Sequence, residues 1–275
     1  MKNLNKKIWT ARISGSLLTV FAVGAVFFAS SCQPEVDPPV TNKTTKFSID
    51  FRLKWGADDA QIQIGENVNN AGETVQLVNL SMMVSKMALM KEDSTWVDLG
   101  DGYQHFNIWG ARTHFDYEIP VGKYIGFRIQ LGLDSAVNHG DPNAWPTTHP
   151  LNTNITSLHW GWSGGYIFQA MDGRWRTSSE TTFTKTFSFH TATDTYVRMF
   201  NLPYNVDASG SFEHKNGTET VLPLEYHLDQ VLGVRSIADG SVSHSTGTAE
   251  IKLMNSIVND MVNNQVFRLG KVEQK

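Results

Sequence analysis

A two-residue alternation of apolar and polar side chains constrains the fold more than any other feature of this chain. Apolar residues alternate with polar ones from Phe47 to Trp55, and the pattern recurs from Ile125 to Leu133. This is the period of a β-strand with one buried face. The segments 75–90 and 181–190 are also rich in strand-forming residues. We therefore predict an all-β domain, either an antiparallel β-sandwich or a barrel-like arrangement.

One segment near the C-terminus has a different period. Between Ile251 and Val262 the apolar residues recur every three or four positions, which is typical of an amphipathic helix. We predict this helix from Thr248 to about Asn264, with Thr248 as a candidate N-cap. Glu250 would lie in the first turn, where its charge suits the helix dipole. The predicted domain is thus all-β with one C-terminal amphipathic helix.

Residues 1–31 have the composition of a secretory signal peptide. Basic residues up to Arg12 precede an apolar run from Leu17 to Ala29, which is shorter than the roughly 20 residues that span a bilayer. The run ends in the small residues Ala29-Ser30-Ser31, and Cys32, the only cysteine, follows them. This arrangement resembles a bacterial lipoprotein processing site, where the thiol is acylated; the alternative is a free cysteine after an ordinary signal peptide. Because Gln33 rather than Asp follows, we predict a lipoprotein of the outer membrane, on its periplasmic face or the cell surface.

The rest of the chain divides into a tether and one domain. Residues 32–46 are polar and rich in proline, so we predict a flexible tether, followed by a single β domain at 47–275. Once Cys32 is acylated, the domain has neither disulfides nor thiolate metal ligands. The formal charge of −4 and the lack of a basic stripe exclude nucleic-acid binding.

The segment from His139 to Trp175 is the candidate for a functional site. It contains three of the nine histidines and four of the eight tryptophans. Its first part has loop composition, whereas 158–171 is apolar and aromatic like a buried strand. Long ordered loops in compact domains usually carry function. The methionines in 82–90 could be copper ligands, but we predict them to be core filling.

Several motifs along the chain resemble those of a known family. They are VNLSMMVSKMAL (78–89), VGKYIGFRIQLGLDS (121–135), HPLN (149–152), LHWGWSGGYIFQAMDG (158–173), FSFH (187–190) and the Ser243-His244 pair before the terminal helix. With these motifs in this order, the chain resembles the copper-binding MbnP-like family of secreted bacterial proteins. The resemblance implies a β-sandwich-like extracytoplasmic domain associated with copper. In some members a tryptophan is oxidised to kynurenine, sometimes with a dihaem peroxidase partner.

Our metal hypothesis joins three histidines from separate segments: His159, His190 and His244. Copper in a site without thiols is commonly bound by imidazole, with Met or oxygen completing the shell. The alternative is that each is an ordinary surface histidine. His139 and His149 are reserve candidates because they lie in the same long loop as His159.

Trp160 and Trp162 are predicted as possible modified or site-lining aromatics, although paired tryptophans most often fill a core. No nucleophile elbow, phosphate-binding loop or H-E-x-x-H motif occurs, so we predict a non-catalytic protein. The sequence thus indicates a copper-binding lipoprotein for uptake or storage. The alternative is a glycan- or protein-binding surface lipoprotein that uses exposed aromatic residues.

Overall fold

The structure, a computed structural model, describes residues 43–110, 112–161 and 164–275. The predicted signal peptide, the predicted acylation site Cys32 and most of the predicted tether lie outside these residues, and so does Trp162. Within the described part of the chain, no helix is long and apolar enough to cross a membrane.

The described residues form β-strands with two α-helices. The strands are β1 (Thr44–Trp55), β2 (Asp58–Asp59), β3 (Asn67–Val68), β4 (Thr74–Lys91), β5 (Trp96–Asp98), β6 (Gln104–Asn107), β7 (His114–Pro120), β8 (Gly122–Leu131), β9 (Ile167–Arg176), β10 (Lys185–Ala192), β11 (Arg198–Pro203), β12 (Phe212–His214), β13 (Thr220–His227), β14 (Val242–Ser243), β15 (Phe267–Leu269) and β16 (Glu273–Gln274). The helices are α1 (Ser135–Asn138) and α2 (Thr248–Asn263).

These strands form two sheets. The smaller has the order β15-β13-β1-β2, with β7 also paired to β1 and β16 to β13. The larger has the order β11-β8-β4-β9-β10-β14, with β3, β5 and β6 also paired to β4 and β12 to β8. The pairs β1–β13 and β10–β14 are parallel, and the other pairs within these sheets are antiparallel. The predicted β class is therefore confirmed, with two parallel pairs added to an otherwise antiparallel, sandwich-like fold.

The core lies between the two sheets. The Phe51 ring of the smaller sheet stacks on Phe106 of the larger one with 4.6 Å between centroids. The Tyr226 hydroxyl donates a hydrogen bond across the interface to the side-chain oxygen of Gln169 at 2.8 Å. Of the methionines on β4, Met82, Met83 and Met87 are all at most 1% exposed, so their prediction as core filling is confirmed.

Two local predictions were wrong in detail. Strand β1 begins at Thr44, because Thr44 already pairs with Pro120 on β7, so the end of the predicted tether belongs to the sheet. Helix α2 is present as predicted, but Gly247 is its N-cap residue and Thr248 lies inside the first turn.

Candidate metal centre

The parallel pairing of β10 with β14 brings two predicted ligands together. In this register Ser188 is opposite Val242 and Phe189 is opposite Ser243, so the next residues are His190 and His244. Adjacent strands are about 4.8 Å apart, and side chains in register point to the same face. The imidazole centroids of His190 and His244 are 5.0 Å apart, with 63° between the ring planes. The ladder itself thus pairs two residues far apart in sequence.

Ser245 continues this pairing beyond the two residues of β14. Its hydroxyl donates to the carbonyl of His190 at 2.7 Å and accepts the N–H of Ala192 at 3.1 Å. Ser245 has a φ of 63°, a left-handed conformation that is costly for a residue with a side chain. This turn holds the residue before it, His244, against β10.

Helix α2 fixes His244 from the other side. The carboxylate of Glu250 accepts the backbone N–H of His244 at 2.7 Å, and the Ser243 hydroxyl donates to the carbonyl of Glu250 at 2.9 Å. The hydrogen bond from the His244 N–H, followed by those from Thr246, holds the pKa of Glu250 below its usual value. Glu250 lies in the first turn, as predicted, and there it anchors the segment that carries a candidate ligand.

Asp172 on β9 contacts one ring nitrogen of His190. Its Oδ1 lies 2.9 Å from Nε2 of His190 and accepts the Ser188 hydroxyl at 2.7 Å, while its Oδ2 accepts Asn79 at 3.1 Å. Burial raises the pKa of Asp172, but these three hydrogen bonds outweigh it and leave the pKa below its usual value. An ionised carboxylate only accepts hydrogen bonds, so the Nε2 of His190 that faces it carries a proton.

Sequence reasoning missed Asp172. An Asp-Gly pair is typical of a hairpin turn, but Asp172 and Gly173 both lie inside β9. Gly173 is required there because a Cβ would collide with the ring of Phe187 and the carbonyl of Gln76. The role of Asp172 becomes visible only once segment 167–176 is paired with segment 185–192. That pairing places Asp172 opposite Ser188.

Trp160 lies beside the imidazole pair. Its ring centroid is 6.3 Å from that of His190, and the residue is 40% exposed. The buried strand predicted from Leu158 in fact begins at Ile167, and the chain turns at Gly161 with a φ of 94°. Trp160 is therefore not core. Tyr166 is fully buried and donates to the carbonyl of Leu151, so Trp160 is the exposed aromatic that the described part of this motif offers for stacking.

The third predicted ligand, His159, lies in the adjoining segment with a different environment. Its ring packs edge-on against Tyr166 at 4.7 Å, and its Nδ1 accepts the N–H of Gly161 at 3.0 Å. Burial lowers the pKa of His159, which favours neutral imidazole. A neutral imidazole has one nitrogen with a free lone pair, and here Gly161 engages it. The described contacts thus bring together two of the three predicted histidines, while His159 neighbours Trp160.

The two reserve histidines contact carboxylates in other segments. His149 stacks on Trp145 at 4.3 Å; its Nε2 lies 2.6 Å from Asp101 and its Nδ1 accepts the N–H of Leu151. His139 lies 3.3 Å from Asp194. Both ring nitrogens of His149 are thus already engaged.

A second cluster of possible ligands lies on the smaller sheet. Atoms of His114, Asp116 and Glu219 all lie within 4.8 Å of one another. The Lys46 ammonium lies among them, 3.3 Å from Asp116 and 3.0 Å from Glu219. His114 also contacts the carboxylates of Asp50 and Asp116. This cluster therefore contains its own cation.

The donor set at His190 and His244 fits an imidazole-binding metal ion. A metal–nitrogen distance of about 2.0 Å places each ring centroid about 3 Å from the ion, so two rings on one ion have centroids about 5 Å apart at a roughly tetrahedral angle. The observed 5.0 Å agrees with this separation. Imidazole suits copper, zinc, iron and nickel. Fold and site together define a β-sandwich protein with a candidate bis-imidazole centre at the edge of its larger sheet.

Comparison with known proteins identifies the family. The family model described as MbnP matches residues 44–251, from β1 into the first turn of α2, and the chain therefore belongs to the MbnP family. This family is associated with copper-related function. Among solved structures, MbnP from Methylosinus trichosporium is similar, with 16% identity, a TM-score of 0.49, and coverage of 75% of this chain and 82% of that one. No curated protein matches. The resemblance expected from the motifs is confirmed.

Proposed function

We propose that this chain is a non-catalytic copper-binding protein in which His190 and His244 bind the ion. One observation carries the proposal: in a member of the MbnP family, two imidazoles from segments far apart in sequence lie 5.0 Å apart on one sheet edge. His159 is not included, because its lone pair accepts the N–H of Gly161.

Copper is the cargo in this proposal, to be stored or taken up. Metal binding requires neutral imidazole, so protons compete with the ion and binding should weaken at acid pH. Trp160 lines the site and is the described tryptophan at which oxidation would introduce a new donor beside the imidazoles. An intact-mass measurement on the purified protein would detect that oxidation.

The cellular setting is proposed from the sequence. Acylation at Cys32 would anchor the protein to the outer membrane, and a dihaem peroxidase-like protein would be its redox partner. The same intact-mass measurement tests the anchor, because acylation adds the mass of fatty acyl chains. A mass that corresponds to an unmodified Cys32 would contradict it.

An anaerobic competition titration of Cu(I) against a chelator tests the proposed function. We expect one equivalent of Cu(I) bound more tightly than about 1 μM, the limit that would distinguish a site from incidental surface binding. His190→Ala and His244→Ala should each weaken this binding at least about 100-fold, since each removes half of the described donors. His149→Ala, which changes a histidine already engaged by Asp101 and Leu151, is the matched control. Unchanged affinity in either site variant would overturn the proposal.

A further inference from the structure

We propose that Asp172 is a positioning residue that fixes the proton of His190 on Nε2 and so makes Nδ1 the metal-binding atom. The inference rests on the proposed function of the His190–His244 pair. It adds the ligating atom of His190 and the residue responsible for that choice.

Asp172 is held rigidly by three adjacent strands of the larger sheet. In the ladder, Asp172 on β9 is opposite Ser188 on β10 and opposite Asn79 on β4. His190 is two residues beyond Ser188 and shares its face, so its ring reaches Asp172 along the diagonal of the pair. The side chains of Asn79, Ser188 and His190 donate to the two carboxylate oxygens. The carboxylate therefore has a fixed orientation before any metal binds.

A carboxylate on one ring nitrogen has two effects on a histidine ligand. It fixes the tautomer and the rotation of the ring, and it makes the other nitrogen a stronger donor. Both effects act on His190, whose Nε2 lies 2.9 Å from Asp172. His244 is held instead through its backbone, by Glu250 and by the turn at Ser245. Of the two proposed ligands, His190 is thus the one oriented by a side chain.

The tautomer of His190 can be measured without copper. Long-range ¹H–¹⁵N correlation spectra of the full-length chain labelled with ¹⁵N-histidine, recorded at pH 8, should show His190 protonated at Nε2. Asp172→Asn should move His190 towards a mixture of tautomers, because an amide can donate as well as accept. A merely structural role for Asp172 predicts no change of tautomer in the folded variant. A wild-type His190 protonated at Nδ1 would overturn the inference.

Copper affinity provides the second test. Asp172→Asn should weaken Cu(I) binding about 10- to 100-fold, and Asp172→Glu should restore part of the loss because it retains the carboxylate. Asp101→Asn is the matched control, since Asp101 contacts Nε2 of His149 in the same way but lies outside the proposed site. Asp172→Asn binding as tightly as wild type would overturn the inference.

The design separates the two proposals. If His190→Ala leaves copper binding intact, the proposed function fails. If His190→Ala abolishes binding but Asp172→Asn does not change it, only the role of Asp172 fails. Should Asp172→Asn not fold, the wild-type protein decides: on addition of Cu(I), the Nδ1 resonance of His190 should shift while Nε2 keeps its proton. Loss of the Nε2 proton would contradict the inference.

Discussion

Two regions of this molecule place histidine beside other potential ligands, and they differ in what remains free. At the β1–β7 edge, carboxylates contact both ring nitrogens of His114, and the Lys46 ammonium neutralises Asp116 and Glu219. At the β10–β14 edge, one carboxylate engages one nitrogen of His190, and a second imidazole lies 5.0 Å away. Proximity of ligand atoms is therefore insufficient; the distribution of lone pairs and cations distinguishes the two regions.

Removing the Lys46 ammonium should reduce the difference between the two regions more than any other change. Lys46→Met leaves His114, Asp116 and Glu219 without their ammonium partner, so Zn²⁺ affinity at this edge should rise at least about tenfold, or about 1.4 kcal/mol. Isothermal titration calorimetry measures the change. Lys123→Met, which removes an exposed lysine paired with Glu92, is the control and should have no effect. Equal Zn²⁺ affinity in Lys46→Met and wild type would show that Lys46 does not keep metal ions from this cluster.

Weakening the turn after β14 tests the second region, at the β10–β14 edge. Ser245→Ala removes the hydrogen bonds to the backbone of His190 and Ala192, which should lower the free energy of unfolding by about 1 kcal/mol. Because these bonds hold His244 beside His190, Cu(I) affinity should fall as well. Urea unfolding and copper competition measure the two effects. A stability loss with unchanged copper affinity would mean that the ladder alone positions the pair.

The smallest expected effect concerns pH and His114. The hydrogen bonds that the His114 ring donates to Asp50 and then to Asp116 outweigh burial and raise the pKa of His114. A raised folded-state pKa stabilises the protein below the unfolded value of about 6.5, and the contribution is lost as pH rises through the folded-state pKa. His114→Gln should therefore cost more stability at pH 5.5 than at pH 8.5. Because the His114 side chain is about half exposed, we expect a difference of about 0.5 kcal/mol or less. Urea unfolding at both pH values would reveal the opposite sign if the assignment is wrong.

Much of the fold follows from local pattern. The alternation in 47–55 and 125–133 predicts β1 and β8, and the three-to-four spacing after Thr248 predicts α2. Family membership follows from the motifs. Such features depend on residues near one another in sequence, where the periodicity of side chains is sufficient.

The site was less predictable because it depends on registers set by tertiary packing. His190 and His244 were named from the sequence, but their contact requires a parallel ladder between segments joined by about fifty residues. The role of Asp172 was missed because its partners, Asn79 and Ser188, belong to two other strands. The separate environment of His159 results from the turn at Gly161, where a regular strand had been expected.

Copper K-edge X-ray absorption on the Cu(I)-loaded protein tests the central claim most directly. If His190 and His244 bind the ion, the extended fine structure should contain the multiple-scattering signature of two imidazoles at about 2.0 Å, and His244→Ala should reduce it to one. His114→Ala should leave the spectrum unchanged. A wild-type spectrum without imidazole scattering, or one that His244→Ala does not alter, would contradict the account.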